Sequence, residues 1–177
     1  LFRKFGIILL ALGAALAAPR PSFAQNGTTE YQIKAAFLYN FFKFVEWPTA
    51  GNSMTIGVLG KDPFGDDLAD ELHGKTINDK PLILKHPATL QEATTCDVLF
   101  ISTSEKVRMA VILDALRGHA VLTVSDSPRF IQHGGMIGFS LEDNRVRFSI
   151  NHEATDAAHL TVSSQLLKLA KAVIEKS

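Results

Sequence analysis

Cysteine is almost missing from this chain. Cys96 stands alone, which excludes an intramolecular disulfide framework and a cysteine-built zinc site. An excess of either charge is missing too, because 18 Lys and Arg are balanced by 18 Asp and Glu. With no net positive field and no basic stripe, nucleic acid is not an expected partner. Charged residues make up only 20% of the chain against 46% hydrophobic, which excludes a disordered chain. At 177 residues the chain is long enough to bury a core without staples, and it carries no internal repeat or low-complexity linker that would divide it. Long apolar runs are also scarce. The longest, from Phe5 to Ala18, falls short of the roughly 20 residues that a membrane span needs.

That run has a different character. Arg3 and Lys4 precede it, and the small residues Ser22 and Ala24 flank Phe23 just before Gln25. This is the order of a secretory signal peptide, with cleavage expected after Ala24. Residues 1–24 are therefore expected to leave, and 25–177 to form a single domain that is not membrane-inserted. Cleavage removes three bases and no acid, leaving 153 residues of net charge −3. An exported chain sits in an oxidising, nucleotide-poor compartment, so ATP-driven catalysis is not expected. Cys96, just before the apolar stretch Val98 to Ile101, reads as a half-buried thiol, with outward disulfide pairing as the alternative.

The exported part begins with a helical stretch from Glu30 to Trp47, capped by Thr28 or Thr29 and stopped by Pro48. Ile33, Phe37, Phe41, Phe44 and Val45 share one face at 100° per residue, and Tyr31, Leu38 and Phe42 widen it. Lys34 interrupts that face near its start. Near-continuous apolar strands follow, at Thr55–Gly60, Pro81–Lys85, Asp97–Ser102 and Ala120–Val124. Helical patterns at Asp66–Leu72, Ser104–Arg117 and Pro128–Gln132 lie between or after them. Such alternation predicts an α/β fold, a Rossmann-like, mostly parallel sheet covered by helices on both faces. Period-two alternation at Ile137–Leu141 and Arg145–Ile150 then predicts an antiparallel hairpin, and a closing helix is expected over Ser164–Glu175.

Motifs for chemistry are incomplete. Gly60-Lys61-Asp62-Pro63-Phe64-Gly65 has the glycine spacing of a phosphate loop, but Asp66 and Asp67 occupy the positions of its Lys and Ser/Thr and would repel a phosphate. His152-Glu153 opens like a zinc-protease helix, yet Asp156 replaces the second histidine. His159, two helical turns on, could share its face, but no third ligand is placed, so no metal and no cofactor are expected. No Gly-x-Ser-x-Gly elbow presents a nucleophile. Asp126 and His152 are the single residues on which a hydrolase reading would rest. No enzymatic activity is expected.

Two surfaces remain. Three loops, Gly60–Gly65, Ser102–Glu105 and Ser125–Pro128, each follow an expected parallel strand, where open α/β sheets hold ligands. Ser102, Ser104, Ser125 and Asp126, with Thr103 and Ser127, are the candidates there for a small carboxylate or similar anion. Their alternative role is ordinary helix capping. The second surface is aromatic. Phe37, Phe41, Phe44 and Trp47 lie within a stretch that also holds Tyr39 and Phe42, and exposed aromatics mark partner-binding surfaces. Their alternative role is packing between helix and sheet.

The stretch from Glu30 to Pro48, EYQIKAAFLYNFFKFVEWP, resembles the opening motif of the YfiR/HmsC-like family of exported bacterial proteins. The resemblance continues through Val58–Gly65, Cys96–Ser104, Val121–Asp126, Gly134–Ile137, Val146–Asn151 and Ser163–Ala170. It implies a periplasmic regulator that represses a membrane diguanylate cyclase by engaging its periplasmic sensor domain, and so controls cyclic-di-GMP and biofilm formation. It also implies an OmpA-like outer-membrane lipoprotein that sequesters the repressor, a Rossmann-like α/β sandwich, and a homodimer. Intrachain disulfides support some members; Cys96 has no partner here. A stand-alone periplasmic small-ligand sensor is the alternative function.

Overall fold

The structure is a computed structural model that describes residues 29–49 and 51–175; the expected signal peptide and its cleavage site lie outside the described residues. The elements are α1 (Glu30–Phe44), β1 (Val45–Glu46), β2 (Met54–Leu59), α2 (Asp67–Leu72), β3 (Thr76–Ile77), β4 (Lys80–Lys85), α3 (Leu90–Ala93), β5 (Val98–Ile101), α4 (Met109–Ala115), β6 (Leu122–Ser125), β7 (Ile137–Glu142), β8 (Arg145–Asn151), α5 (His152–Ala157), β9 (Thr161–Val162), α6 (Ser164–Leu169) and β10 (Val173–Ile174). Short 3₁₀ turns sit at Thr103–Glu105 and Ile131–His133.

The main sheet has eight strands in the order β10-β8-β7-β6-β5-β2-β4-β3. Its centre, β4-β2-β5-β6-β7, is wholly parallel. In chain order those strands run 2-1-3-4-5, one of the two common doubly wound orders. The fold is therefore the α/β, mostly parallel sheet expected from the sequence, with the expected hairpin β7–β8 in register from Ile137↔Ile150 to Glu142↔Arg145. β1 and β9 form a separate two-stranded ribbon.

Strand periodicity divides the core. Ile56, Val58, Val98, Phe100, Leu122, Val124, Ile137 and Phe139 point to the face packed by α1, α2 and α6. The alternate residues Leu99, Ile101 and Val121 point to the opposite face, packed by α4 and the Ile131 turn. Sheets buried on both faces lose polar alternation and read as continuous apolar runs.

Several boundaries differ from the sequence reading, each for a local reason. The first helix ends at Phe44, three residues before Trp47, because Val45 and Glu46 pair with Val162 and Thr161 and Ser163 N donates to Phe44 O at 2.8 Å. The helix expected over Ser104–Arg117 divides into a 3₁₀ turn and α4. The closing helix stops at Leu169, and β10 joins β8 beyond it. Asn78 and Asp79, at φ 50° and 64°, make the tight turn joining β3 to β4, a hairpin whose two-residue first strand has no alternating run to mark it in the sequence. α3, α5 and β9 are likewise too short for a periodic run to mark them in the sequence.

Candidate functional site

α1 starts with a complete capping box: Gln32 N donates to the Thr29 hydroxyl, and Thr29 N donates to the Gln32 side chain. Its 15 residues span about 22 Å at ~1.5 Å per residue. Its first turns meet Asp126, just past the carboxyl end of β6, while Trp47, just past its end, reaches Asp97, just before β5. The helix therefore links the two edges of the sheet, and a candidate site lies at each.

At the carboxyl edge the strand order reverses between β2 and β5, where this topology usually leaves a ligand crevice. Here Ser104 and Glu105 pack directly against Gly60. Gly60 stands at φ +90°, and a Cβ built on it would lie 2.5 Å from Ser104 Oγ and 2.8 Å from Glu105 Cγ. Lys61 N donates to Ser104 Oγ at 2.9 Å, and Ser102 Oγ accepts from Ser104 N at 3.3 Å. Ser125 Oγ donates to Ile101 O at 2.6 Å and accepts from Ser127 N at 3.0 Å. The hydroxyls of Ser104 and Ser125 thus tie neighbouring segments together, while that of Ser102 caps its own turn. The Ser127 hydroxyl is buried with no hydrogen-bond partner among the described residues.

Asp126 belongs to a different constellation. Its Oδ2 accepts from Lys34 Nζ at 2.6 Å and from the Tyr31 hydroxyl at 2.9 Å. Lys34 Nζ also pairs with Glu30 at 2.5 Å and lies 4.4 Å from the Tyr31 ring centroid. The Lys34 side chain is 3% exposed and that of Asp126 11%. Burial, then the hydrogen bond to Asp126, pushes the Tyr31 hydroxyl well above its ordinary value. A lysine that reads in sequence as a break in an apolar face is here the buried centre of a polar cluster.

At the amino edge the four aromatic candidates separate. Phe41 is fully enclosed, with ring centroids 5.9 Å from Phe139 and 5.5 Å from Phe148. Phe37 is half-buried and turns to the same two rings, at 5.9 and 5.4 Å. Phe44 and Trp47 keep part of their surface exposed. Trp47 stacks on Phe42 at 5.6 Å, and its Nε1 donates to Asp97 O at 3.1 Å. Trp47 also lines a groove that runs between β1 and β3 over Phe42, Val45 and Ile77, with adjoining lobes of about 310 and 450 Å³.

The remaining features are dispersed. A cleft of about 360 Å³ lies at the amino edge between Leu113, Leu116, Thr123, Met136, Asn151 and Ala154. α5 stops at Ala157, and His159 lies beyond it at φ 59°, so it does not continue the helical face of His152. His152 instead pairs with Glu175 at 3.1 Å. Among the described residues no three His, Cys, Asp or Glu gather to hold a metal, and no helix is long and apolar enough to cross a membrane. Cys96 is buried, and burial pushes its thiol up to about 11.

Comparison with known proteins gives one family and a fold likeness. The family model described as YfiR/HmsC-like matches residues 31–171. Among solved structures, a conserved domain protein from Vibrio cholerae is similar at TM-score 0.58 and 11% identity, over 82% of this chain and 60% of that one. The ABC domain in complex with L-Trp from Streptococcus pneumonia is similar at TM-score 0.54 and 11% identity, over 79% of this chain and 62% of that one. This chain thus spans about three fifths of each, and at that identity the likeness is one of fold.

Proposed function

The chain belongs to the YfiR/HmsC-like family, and from that premise we propose that it is an exported, non-enzymatic regulator that binds and represses the periplasmic sensor domain of a membrane diguanylate cyclase, thereby lowering cyclic-di-GMP and biofilm formation. The observation that carries this reading is the family match across residues 31–171, nearly the whole described fold. Two structural facts support it. Ser104 and Glu105 pack against Gly60 at the point where this topology usually takes a small ligand, and the partly exposed aromatics Phe44 and Trp47 lie at the opposite edge.

Repression needs no bond chemistry. The regulator has to bind the inactive sensor more tightly than the active one, since equal affinity shifts no population. On this reading residues 1–24 direct export to the periplasm and are removed, 25–177 act as one domain in a homodimer, and an OmpA-like lipoprotein relieves repression by competing for the regulator. Deletion of the gene is expected to raise cyclic-di-GMP, with re-expression restoring the lower level. Unchanged cyclic-di-GMP in the deletion strain, in both resting and surface-attached cells, would refute the reading.

A small-ligand sensor is the second reading. The cleft beside Leu116 and Met136, about 360 Å³, has the size of a metabolite pocket. It lies at the other edge of the sheet from Ser102, Ser104, Ser125 and Asp126. A melting shift of the purified protein with a metabolite at millimolar concentration would favour that reading.

A further inference from the structure

The groove between β1 and β3 is walled by two strands that each have a single partner. β1 pairs only with β9, and β3 closes the end of the eight-stranded sheet against β4. β3 therefore keeps one edge whose N–H and C=O groups have no ladder partner, whereas on the free side of β1 the Val45 N–H already donates to Phe41 O at the end of α1. Between them the floor is apolar: Phe42, Val45, Met54 and Ile77 are all buried. Trp47 and Lys80 stand at one end, Lys43 and Thr76 at the other.

Two lysines, Lys43 and Lys80, and one carboxylate, Glu46, line the groove. Lys43 and Lys75 approach the Tyr39 ring, 4.2 and 4.4 Å from its centroid, so one aromatic ring holds two ammonium groups at the Thr76 end. Lys75 is paired with Glu71. Neither Lys43 nor Lys80 has a carboxylate within 4.0 Å among the described residues.

We propose that this groove binds an extended, acidic segment of the partner protein by strand addition, with main-chain hydrogen bonds to the open edge of β3, an aliphatic side chain on Phe42 and Ile77, and carboxylates facing Lys43 and Lys80. Strand addition takes affinity from main-chain bonds and specificity from alternate side chains. At ~3.3 Å per residue, the two-residue edge of β3 pairs with about two residues of such a segment, and the rest lies over the apolar floor. The inference rests on the regulator reading for the identity of the partner, not for the groove itself.

The chain contains one tryptophan, Trp47, and it lines the groove, so its emission reports occupancy directly. The test titrates the full purified chain with the blocked peptide acetyl-Glu-Val-Asp-Ile-Glu-amide. Controls are the same peptide with N-methylated backbone, its Lys-Val-Lys-Ile-Lys counterpart, and sodium sulfate. Saturable change in Trp47 emission with the acidic peptide is expected, at least about tenfold weaker with each peptide control and in the variant Lys43→Glu/Lys80→Glu. No change at millimolar acidic peptide, equal binding of the basic peptide, or an equal response to sulfate would overturn the proposal. So would a concentration-dependent self-association abolished by the double variant, because the occupant would then be a second copy.

Cyclic-di-GMP measured with the double variant separates this inference from the regulator reading. A gene deletion that raises cyclic-di-GMP, together with a double variant that still represses fully, would remove the groove proposal and leave the regulator. A deletion without effect would remove the regulator, while the peptide titration still decides what the groove accepts.

Discussion

Removing the Asp126 carboxylate tests whether the polar cluster at the start of α1 fastens that helix to the sheet. In Asp126→Ala, the Lys34 ammonium, 3% exposed, loses its 2.6 Å partner and the Tyr31 hydroxyl loses its acceptor. Stripping one member from a buried ion pair costs about 3–5 kcal/mol. Glu30 remains at 2.5 Å and is itself 37% exposed, so part of the loss is offset and a cost of about 2–3 kcal/mol is expected. For a domain of this size that corresponds to a drop in melting temperature of about 4–12 °C. The discriminating measurement is a double-mutant cycle with Lys34→Met, followed by urea unfolding through the emission of Trp47. The pair Lys34→Met/Asp126→Ala should be less destabilised than the two single losses added, because neither charge is then buried alone. Single losses below about 1 kcal/mol that simply add would refute the reasoning and make the cluster a solvated surface feature.

Other outcomes follow from the packing and the titrating groups. Gly57→Ala places a Cβ 2.6 Å from Cys96 Sγ and 2.9 Å from Leu99 Cδ1, so a loss of about 1–3 kcal/mol is expected from overpacking, read by urea unfolding. Cys96, with its thiol raised to about 11 by burial, is only about 0.1% thiolate at pH 8. Ellman's reagent should modify it slowly in the native protein and completely in denaturant, and rapid native reaction would contradict its enclosure. Burial raises the Asp97 carboxyl above its ordinary value, so the native state holds this proton more tightly than the unfolded chain. Its contribution to stability is therefore greatest in acid and falls as pH rises from the ordinary carboxylate value through the raised one. Asp97→Asn should remove that slope from a pH series of unfolding midpoints. Phe41→Ala should cost about 3–5 kcal/mol as a core truncation and diminish partner binding only as far as it unfolds the protein.

The sheet was legible in the sequence because a strand buried on both faces must be apolar throughout, as Val98 to Ile101 is. The hairpin was legible because one face of Arg145–Asn151 alternates with solvent. What failed was decided by tertiary pairing. Val45 and Glu46 continue a helical pattern, and only the distant Thr161 and Val162 draw them into a strand. The site was less legible still. Lys34 and Asp126 lie 92 positions apart, and no periodicity links them. The serines of the strand-end loops were visible as capping residues or ligand groups alike, and their sequence does not say that Ser104 settles on Gly60. Trp47 was visible as an aromatic beside a helix end; its groove was not, because the opposite wall comes from a two-residue strand without a run of its own.

Ser104 and Glu105, seated on Gly60, brace the joint at which other doubly wound sheets keep a loading dock. Drift in specificity within such a molecule is consequently pushed outward, to rim residues whose replacement leaves the joint between β2 and β5 undisturbed. A side chain added at position 60 would act in the reverse way, prising the joint apart and damaging the architecture before it altered any choice of partner.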